Sequence, residues 1–407
     1  MSARNSTPRR LLASKGELIR ALERLRVGLP PFSATRDLSV DADRSLDRLR
    51  VLLRLPGNSV LFILGDYGAG KSHFLAILRD LALAEGYATC WLTADGYESA
   101  LNHPQRFLSS LLGTLETPDG TSGYSALIAR LLESSTSREA VLRASALALD
   151  GSSNLELSAK ALLVELVVNG AEGDGQHETQ VNSDALARIL SGETLTGLGN
   201  MECYRKMAYR LLALAEQMTR LAGCGGLVIV LDEVESVFTK LWNIRSRVGA
   251  YRTLSALGLG MGQASIKVAM AVTPDAAAAM AAELRSSGAG IVAPSFEPVS
   301  RFQSALLKDD IATFRCSTLK SEQIGELLQK IRDAYCQAYP ELELAEEDWQ
   351  RAVESILGRM PSIRLAVRDC IDTLDRLRLI SHLSAEKYAR PSGAAPRFEP
   401  PTFVDDV

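Results

Sequence analysis

Along most of this chain, short continuous apolar runs alternate with longer segments in which apolar residues recur every three to four positions. The runs Ser59–Leu64, Ala88–Ala94, Gly226–Leu231 and Ile266–Thr273, with a shorter one at Ile311–Cys316, predict buried strands. Leu11, Leu12, Leu18, Ile19, Leu22 and Leu25 share one face of a helix predicted over 8–27, and Val27-Gly28-Leu29-Pro30-Pro31 stops it. A second helix is predicted from Asp41 to Leu55. Residues 104–222 carry mostly helical periodicity, interrupted at Gly170–Asn182, where a flexible loop is predicted. Helical spacing returns from Lys320 to Leu383, and the proline-bearing stretch from Ala389 predicts disorder. No internal repeat is visible. Strands separated by helices imply an α/β fold with a parallel sheet covered on both faces, followed by an all-helical block.

Composition narrows the class without naming a chemistry. The chain has 407 residues, 46% hydrophobic and 23% charged, as in a soluble globular protein of two or three domains. No apolar stretch approaches the ~18 residues that a membrane span needs. The polar, basic start from Met1 to Arg10 has no apolar segment behind it, so no signal peptide and a cytoplasmic location are expected. Six scattered cysteines and four dispersed histidines suggest neither a disulfide framework nor a zinc site. The net charge is −4, yet residues 1–54 hold twelve Arg and Lys against six Asp and Glu. That local excess reads either as a nucleic-acid-facing arm or as solvated helix faces.

The sharpest chemical signal is Gly65-Asp66-Tyr67-Gly68-Ala69-Gly70-Lys71-Ser72, with His73 beginning the apolar-periodic segment that follows. G-x-x-x-x-G-K-S between a strand and a helix is the spacing of a Walker A phosphate-binding loop. The glycines let successive backbone N–H groups curl around phosphate oxygens, and the helix N-terminus adds partial positive charge. Lys71 can then reach the β- and γ-phosphates of ATP, and the Ser72 hydroxyl can complete a Mg²⁺ shell. The bare pattern arises by chance in about one chain in a hundred of this length, but a chance match lacks the strand and the helix. The strand ending at Leu231 delivers Asp232 and Glu233 to the same sheet edge. Asp232 is placed to hold Mg²⁺ through water and Glu233 to polarise an attacking water. Glu235 continues the acidic run without an assignable role.

Several segments resemble a known group. They are Arg24-Leu25-Arg26-Val27-Gly28-Leu29-Pro30-Pro31, the GDYGAGKSHFL loop, Gly225–Glu235, the stretch Arg245–Leu257, and Phe314–Leu319 leading into the last helices. Over roughly residues 17–380 the chain resembles the BrxD-type ATP-binding proteins of BREX phage-defence systems, within the AAA+ ATPases related to origin-recognition and helicase-loading proteins. The resemblance implies a P-loop AAA+ core over 57–319 with a helical insertion at about 104–200. It also implies a helical lid over 320–388, beside an N-terminal helical segment 1–56 and a tail 389–407. In such ATPases a polar residue ending the next strand, here Thr273, orients water against the γ-phosphate. A lid arginine, here Arg364 with Arg368 as runner-up, reaches back to the nucleotide. A neighbouring subunit usually completes the site with an arginine; Arg301 sits in the corresponding stretch, with Arg285, Arg245, Arg247 and Arg252 as competitors. Relatives that bind DNA usually append a winged helix. About 24 residues follow Leu383, too few for one, which argues against autonomous DNA binding and leaves DNA as a possible partner, direct or through other proteins.

Three functions follow as expectations. The first is an ATPase that drives a conformational or assembly step with other defence-system proteins, on or near DNA, as a possible homo-oligomer. The second is a nucleotide-gated scaffold or switch with slow hydrolysis. The third is a DNA-loading ATPase of the helicase-loader kind.

Overall fold

A computed structural model describes residues 14–32, 34–40, 42–94, 101–134, 138–149, 151, 154–172, 176–193, 201–259, 266–287, 313–316, 318–342, 344–359 and 362–389. Five strands form one parallel sheet: β1 (Ser59–Leu64), β2 (Ala88–Thr93), β3 (Leu227–Asp232), β4 (Ile266–Val272) and β5 (Thr313–Arg315), in the order β2-β3-β4-β1-β5. Four of the five fall inside the predicted apolar runs, and β3 runs one residue beyond its run to include Asp232. β3 and β4 are buried along their whole length, which is why they read as unbroken apolar sequence rather than as alternation. The chain leaves β1 for the far edge at β2, and β3 and β4 then fill the gap. Such an order opens a crevice at the carboxyl ends of the strands, beside β1.

The two faces of the sheet bury different helices. Val228, Val230, Ala269 and Ala271 face α2 (Ala42–Arg54) and α3 (Lys71–Ala84), which pack through Leu49, Leu53, Leu75 and Leu78. Leu227, Ile229, Leu231, Val268 and Met270 point to the other face, as the two-residue period of a strand requires. They meet a layer built from α4 (Pro104–Gly113), α5 (Gly123–Glu133), α6 (Arg138–Ala148), α7 (Asn154–Glu172), α8 (Gln176–Leu190) and α9 (Met201–Leu221). The segment at about 104–200 therefore shares the core of the sheet. Among its described residues one acid is fully buried, Glu156, and it is compensated by Arg210 and by the Gly151 N–H at 2.7 Å, the pairing that a buried charge demands.

One predicted loop is shorter than expected. α7 continues through Gly170 to Glu172 and α8 starts at Gln176, so most of Gly170–Asn182 is helical. A single glycine costs a helix about 1 kcal/mol, which packing elsewhere along α7 and α8 offsets, and Glu178 and Gln180 are good helix formers.

The chain continues through α10 (Ser236–Lys240), α11 (Ile244–Leu259) and α12 (Pro274–Ser287), then β5 and three last helices, α13 (Ser321–Ala338), α14 (Glu346–Gly358) and α15 (Ile363–Ala389). These three share an apolar cluster with α1 (Lys15–Arg26): Leu18 and Leu22 pack with Leu328, Ile331, Ile371 and Leu374. Ser14 and Glu17 cap α1 reciprocally, and Arg26 pairs with Asp375, whose other oxygen accepts from the Tyr335 hydroxyl. Among the described residues the N-terminal segment thus divides between two cores: α1 joins the C-terminal helices and α2 joins the sheet. Residues 1–13 and 390–407, including nearly all of the proline-bearing tail, lie outside the described residues. Among the described residues no helix is long and apolar enough to cross a membrane.

Candidate nucleotide site

The glycine-rich loop turns at the end of β1. The Cys316 N–H donates to the Leu64 carbonyl at 2.7 Å, drawing β5 so close that a Cβ on Gly65 would lie 2.9 Å from the Cys316 Cβ. Gly68 and Gly70 have φ of +83° and +89°, the left-handed region that other residues rarely enter, and α3 begins immediately after with Lys71. Lys71 is only 7% exposed. Its Nζ donates to the carbonyls of Gly65 at 2.9 Å and Asp66 at 3.2 Å, and lies 3.8 Å from Oε1 of Glu235.

Acidic groups arrive from β3. Asp232, 6% exposed, accepts a hydrogen bond from the Ser72 side chain and another from the Glu233 N–H at 2.9 Å. Burial pushes its pKa up, and those two donors and the nearby Lys71 oppose the rise. Among the described residues Glu233 is the one non-glycine with positive φ, at 53°, and its side chain is exposed. Glu235 lies deeper. Burial raises its pKa, Lys71 opposes this, and its Oε2 is buried with no hydrogen-bond partner.

The loop, Asp232, Glu233 and Glu235 line a cavity of about 500 Å³, large enough for a nucleotide. The opposite wall comes from Gly28, Leu29 and Pro30 after α1 and from Ile363, Arg364 and Val367 on α15. Arg364 donates to the Tyr67 hydroxyl and to the Gly28 carbonyl, both at 3.1 Å, and its guanidinium lies 5.3 Å from the Tyr67 ring centre. A Cβ on Gly28 would meet its Nε at 2.4 Å, so glycine there lets the arginine pass. On the inner side of α3, His73 is pushed down to about 4 by burial, and its Nε2 lies 2.6 Å from the Ser39 hydroxyl. The Ser39 carbonyl accepts from Lys330 of α13 at 2.6 Å.

The fold therefore gathers Tyr67 through His73, Asp232, Glu233 and Arg364 around one space, with the Gly65 and Asp66 carbonyls behind it accepting from Lys71. Thr273 directly follows β4, between the ends of β1 and β3, but its hydroxyl faces the Ala276 N–H at 3.4 Å as a cap of α12. Arg301 lies outside the described residues. Of its competitors, Arg247 is held by Glu283, whereas Arg245 is exposed; Arg368, the runner-up to Arg364, is exposed as well. Sequence reasoning left Glu235 without a role and missed the pairing of Arg364 with Gly28 and Tyr67. The D-E-x-E spacing was the available signal for the first; nothing local signals the second.

The left-handed glycines, the near-buried Lys71 at a helix start and the orphaned Glu235 oxygen fit a phosphate-bearing ligand with a cation. Among the described residues no group of three or more His, Cys, Asp or Glu is arranged to hold a metal alone. Ser72 and Asp232 could hold Mg²⁺ that shares its shell with phosphate oxygens and water, as this cation usually does.

No curated protein and no solved structure matches the chain significantly. Residues 200–391, from α9 through β3 and β4 to the end of α15, match the family described as BREX system ATP-binding protein BrxC/D. That stretch, a little under half of the chain, holds Asp232, Glu233, Glu235, Thr273 and Arg364, and over it the chain is similar to the BREX system ATP-binding proteins.

Proposed function

We propose that the protein is a cytoplasmic AAA+-type P-loop ATPase that binds ATP with Mg²⁺ and works with other proteins of a BREX-like anti-phage system. The observation that carries this reading is the meeting of Ser72 with Asp232, residues from two separate apolar runs, beside Lys71 in a nucleotide-sized cavity. In this reading the N–H groups from Gly68 to Ser72 and the Lys71 ammonium neutralise the phosphates, and Ser72 and Asp232 orient the metal. Mg²⁺ supplies the Lewis acidity that phosphoryl transfer needs. Glu233 orients the attacking water, Thr273 supports it, and Arg364 leaves Tyr67 and Gly28 to meet the nucleotide. The helical unit of α1 and α13–α15 acts as the lid. Arg301, from a neighbouring copy in a homo-oligomer, is the proposed arginine finger.

Thermal unfolding with and without Mg·ATP tests the reading. A ligand specific to the folded state stabilises by RT ln(1 + [L]/Kd), about 2.7 kcal/mol at a hundredfold excess over Kd. Wild type should gain that stability and Lys71→Ala should not, while melting normally without nucleotide. An equal gain in both proteins would refute the site.

One arrangement favours the second reading, a nucleotide-gated switch with slow turnover. Glu233 is exposed on a left-handed turn, and Lys71 is held by its own loop and Glu235 rather than left free. A basal phosphate-release rate that rises sharply with DNA or partner proteins would identify the switch. The helicase-loader reading loses its N-terminal basis in part, since Arg26 pairs with Asp375 and Arg24 donates to the Pro30 carbonyl.

A further inference from the structure

Glu235 ends the turn between β3 and α10, with its side chain 20% exposed. One carboxylate oxygen faces Lys71, and the other is buried without a hydrogen-bond partner. The turn itself is pinned. The Glu233 N–H donates to Asp232 at 2.9 Å, and the Val234 N–H donates to the Ala271 carbonyl of β4 at 3.2 Å. Val234 and Val237, on either side of Glu235, are buried in the core. The backbone that carries this carboxylate is therefore fixed at the phosphate end of the cavity.

A carboxylate so placed depends on its counter-charge. Burial raises its pKa, its own N–H and then the Lys71 ammonium oppose the rise, and Asp232 and Glu233 add to it. Drawing the cation away from a buried acid leaves a charge with nothing to compensate it.

Lys71 is engaged on every side. An ammonium has three protons to give. The Gly65 and Asp66 carbonyls accept at 2.9 and 3.2 Å, and Oε1 of Glu235 lies 3.8 Å away. A phosphate must therefore draw the lysine out of contacts it already has. Asp232, Glu233 and Glu235 all line this end of the cavity, while Arg364 stands on the opposite wall, bonded to Gly28 and Tyr67. A nucleotide that arrives without a cation takes Lys71 from Glu235 and adds its own negative charge beside these acids. The same nucleotide carrying Mg²⁺ brings positive charge to the same place, so Glu235 stays compensated.

We propose that Glu235 is a specificity-determining residue, which restrains Lys71 and so makes the site favour nucleotide carrying Mg²⁺ over the same nucleotide without it. It is a positioning residue, acting through Lys71 and not by touching the nucleotide. The inference rests on the nucleotide reading and gives a task to an acid which that reading leaves unused. Glu233, exposed at the rim, keeps its separate role toward water.

The test is a pair of titrations of a fluorescent, non-hydrolysable ATP analogue into the full chain, one in Mg²⁺ and one in EDTA. Specificity is read as the ratio of the two dissociation constants. Glu235→Gln keeps the shape and removes the charge. It should tighten binding in EDTA roughly tenfold and binding in Mg²⁺ by less than about twofold, so the ratio shrinks. Glu235→Ala removes the same charge by another route and should shrink the ratio too, so poor folding of one variant does not decide the outcome. Glu235→Asp keeps the charge and should keep most of the wild-type ratio. A merely structural role would weaken both affinities together and lower the melting temperature without nucleotide. The proposal fails if the ratio is unmoved in Glu235→Gln and Glu235→Ala, or if these variants bind more weakly in EDTA than wild type does. If wild type binds the analogue in neither condition, the nucleotide reading falls and this proposal with it. If wild type binds, Lys71→Ala does not, and the ratio ignores Glu235, this proposal alone is overturned.

Discussion

On the sheet side of the cavity, residues that act together are close in sequence: Gly65 to His73 form one turn, and Asp232 to Glu235 form another. On the helical side, Arg364 and the Gly28 carbonyl meet across 336 positions, and α1 joins a cluster otherwise made of the last three helices. The same cavity is thus lined by one wall that local chain geometry builds and another that exists only once the two ends of the chain have packed. In the proposed reading, such a division would let the phosphate-binding wall keep its shape while the helical wall opens.

The largest effect expected from breaking the sheet-side wall comes from Glu233→Gln. It keeps shape and removes the charge that orients water, so phosphate release should fall by about 10²–10⁴-fold while the Mg·ATP melting shift persists. Unchanged turnover would transfer the role to Glu235, whose buried oxygen already lacks a partner.

On the helical side, Leu22→Ala removes a side chain that is 2% exposed and should cost about 2–5 kcal/mol. If the two cores unfold separately, calorimetry should show an early transition for the helical unit with the sheet transition nearly unmoved. A single transition shifting as a whole would make them one cooperative body.

Smaller again is Arg364→Ala, which should weaken ATP roughly tenfold, about 1.4 kcal/mol, without loss of stability in the nucleotide-free protein. Gly28→Ala should reproduce part of that loss by pushing the arginine aside, since the added Cβ collides with it. An Arg364→Ala protein with wild-type affinity would sever the helical wall from binding.

The smallest effect is assigned to Thr273→Ala. Losing a cap costs about 1 kcal/mol. If the hydroxyl does no more than cap α12, melting temperature falls slightly and turnover per folded molecule is unchanged; if it also orients water, turnover falls at constant ATP affinity.

Much of this was legible in the chain for identifiable reasons. The five strands could be found because a fully buried parallel strand must be apolar at every position. The glycine loop could be found because left-handed backbone and close approach to Cys316 leave little choice of residue at Gly65, Gly68 and Gly70. The extent of the Gly170–Asn182 break was overread, because Gly170 and the polar run from Gln176 weaken a helix without ending it, while α7 does stop at Glu172 and α8 starts at Gln176. The basic N-terminal segment illustrates a different limit. Composition gives its charge, but whether an arginine faces solvent or a carboxylate depends on what packs beside it. Arg26 is taken up by Asp375, whereas Arg245, in a chain region of no special composition, is left exposed.

By itself the sequence determined the strands, the phosphate-loop turn and the acids that follow β3, because each depends on backbone sterics and burial within a few residues. Tertiary structure alone decided that Arg364 reaches Gly28 and Tyr67, that α1 completes the C-terminal helical cluster, and that an arginine from α9 lies on Gly249. Those are contacts between surfaces whose partners no local pattern specifies. They are selected by which apolar faces find each other, and the polar groups at their margins then pair with whatever that packing brings within reach.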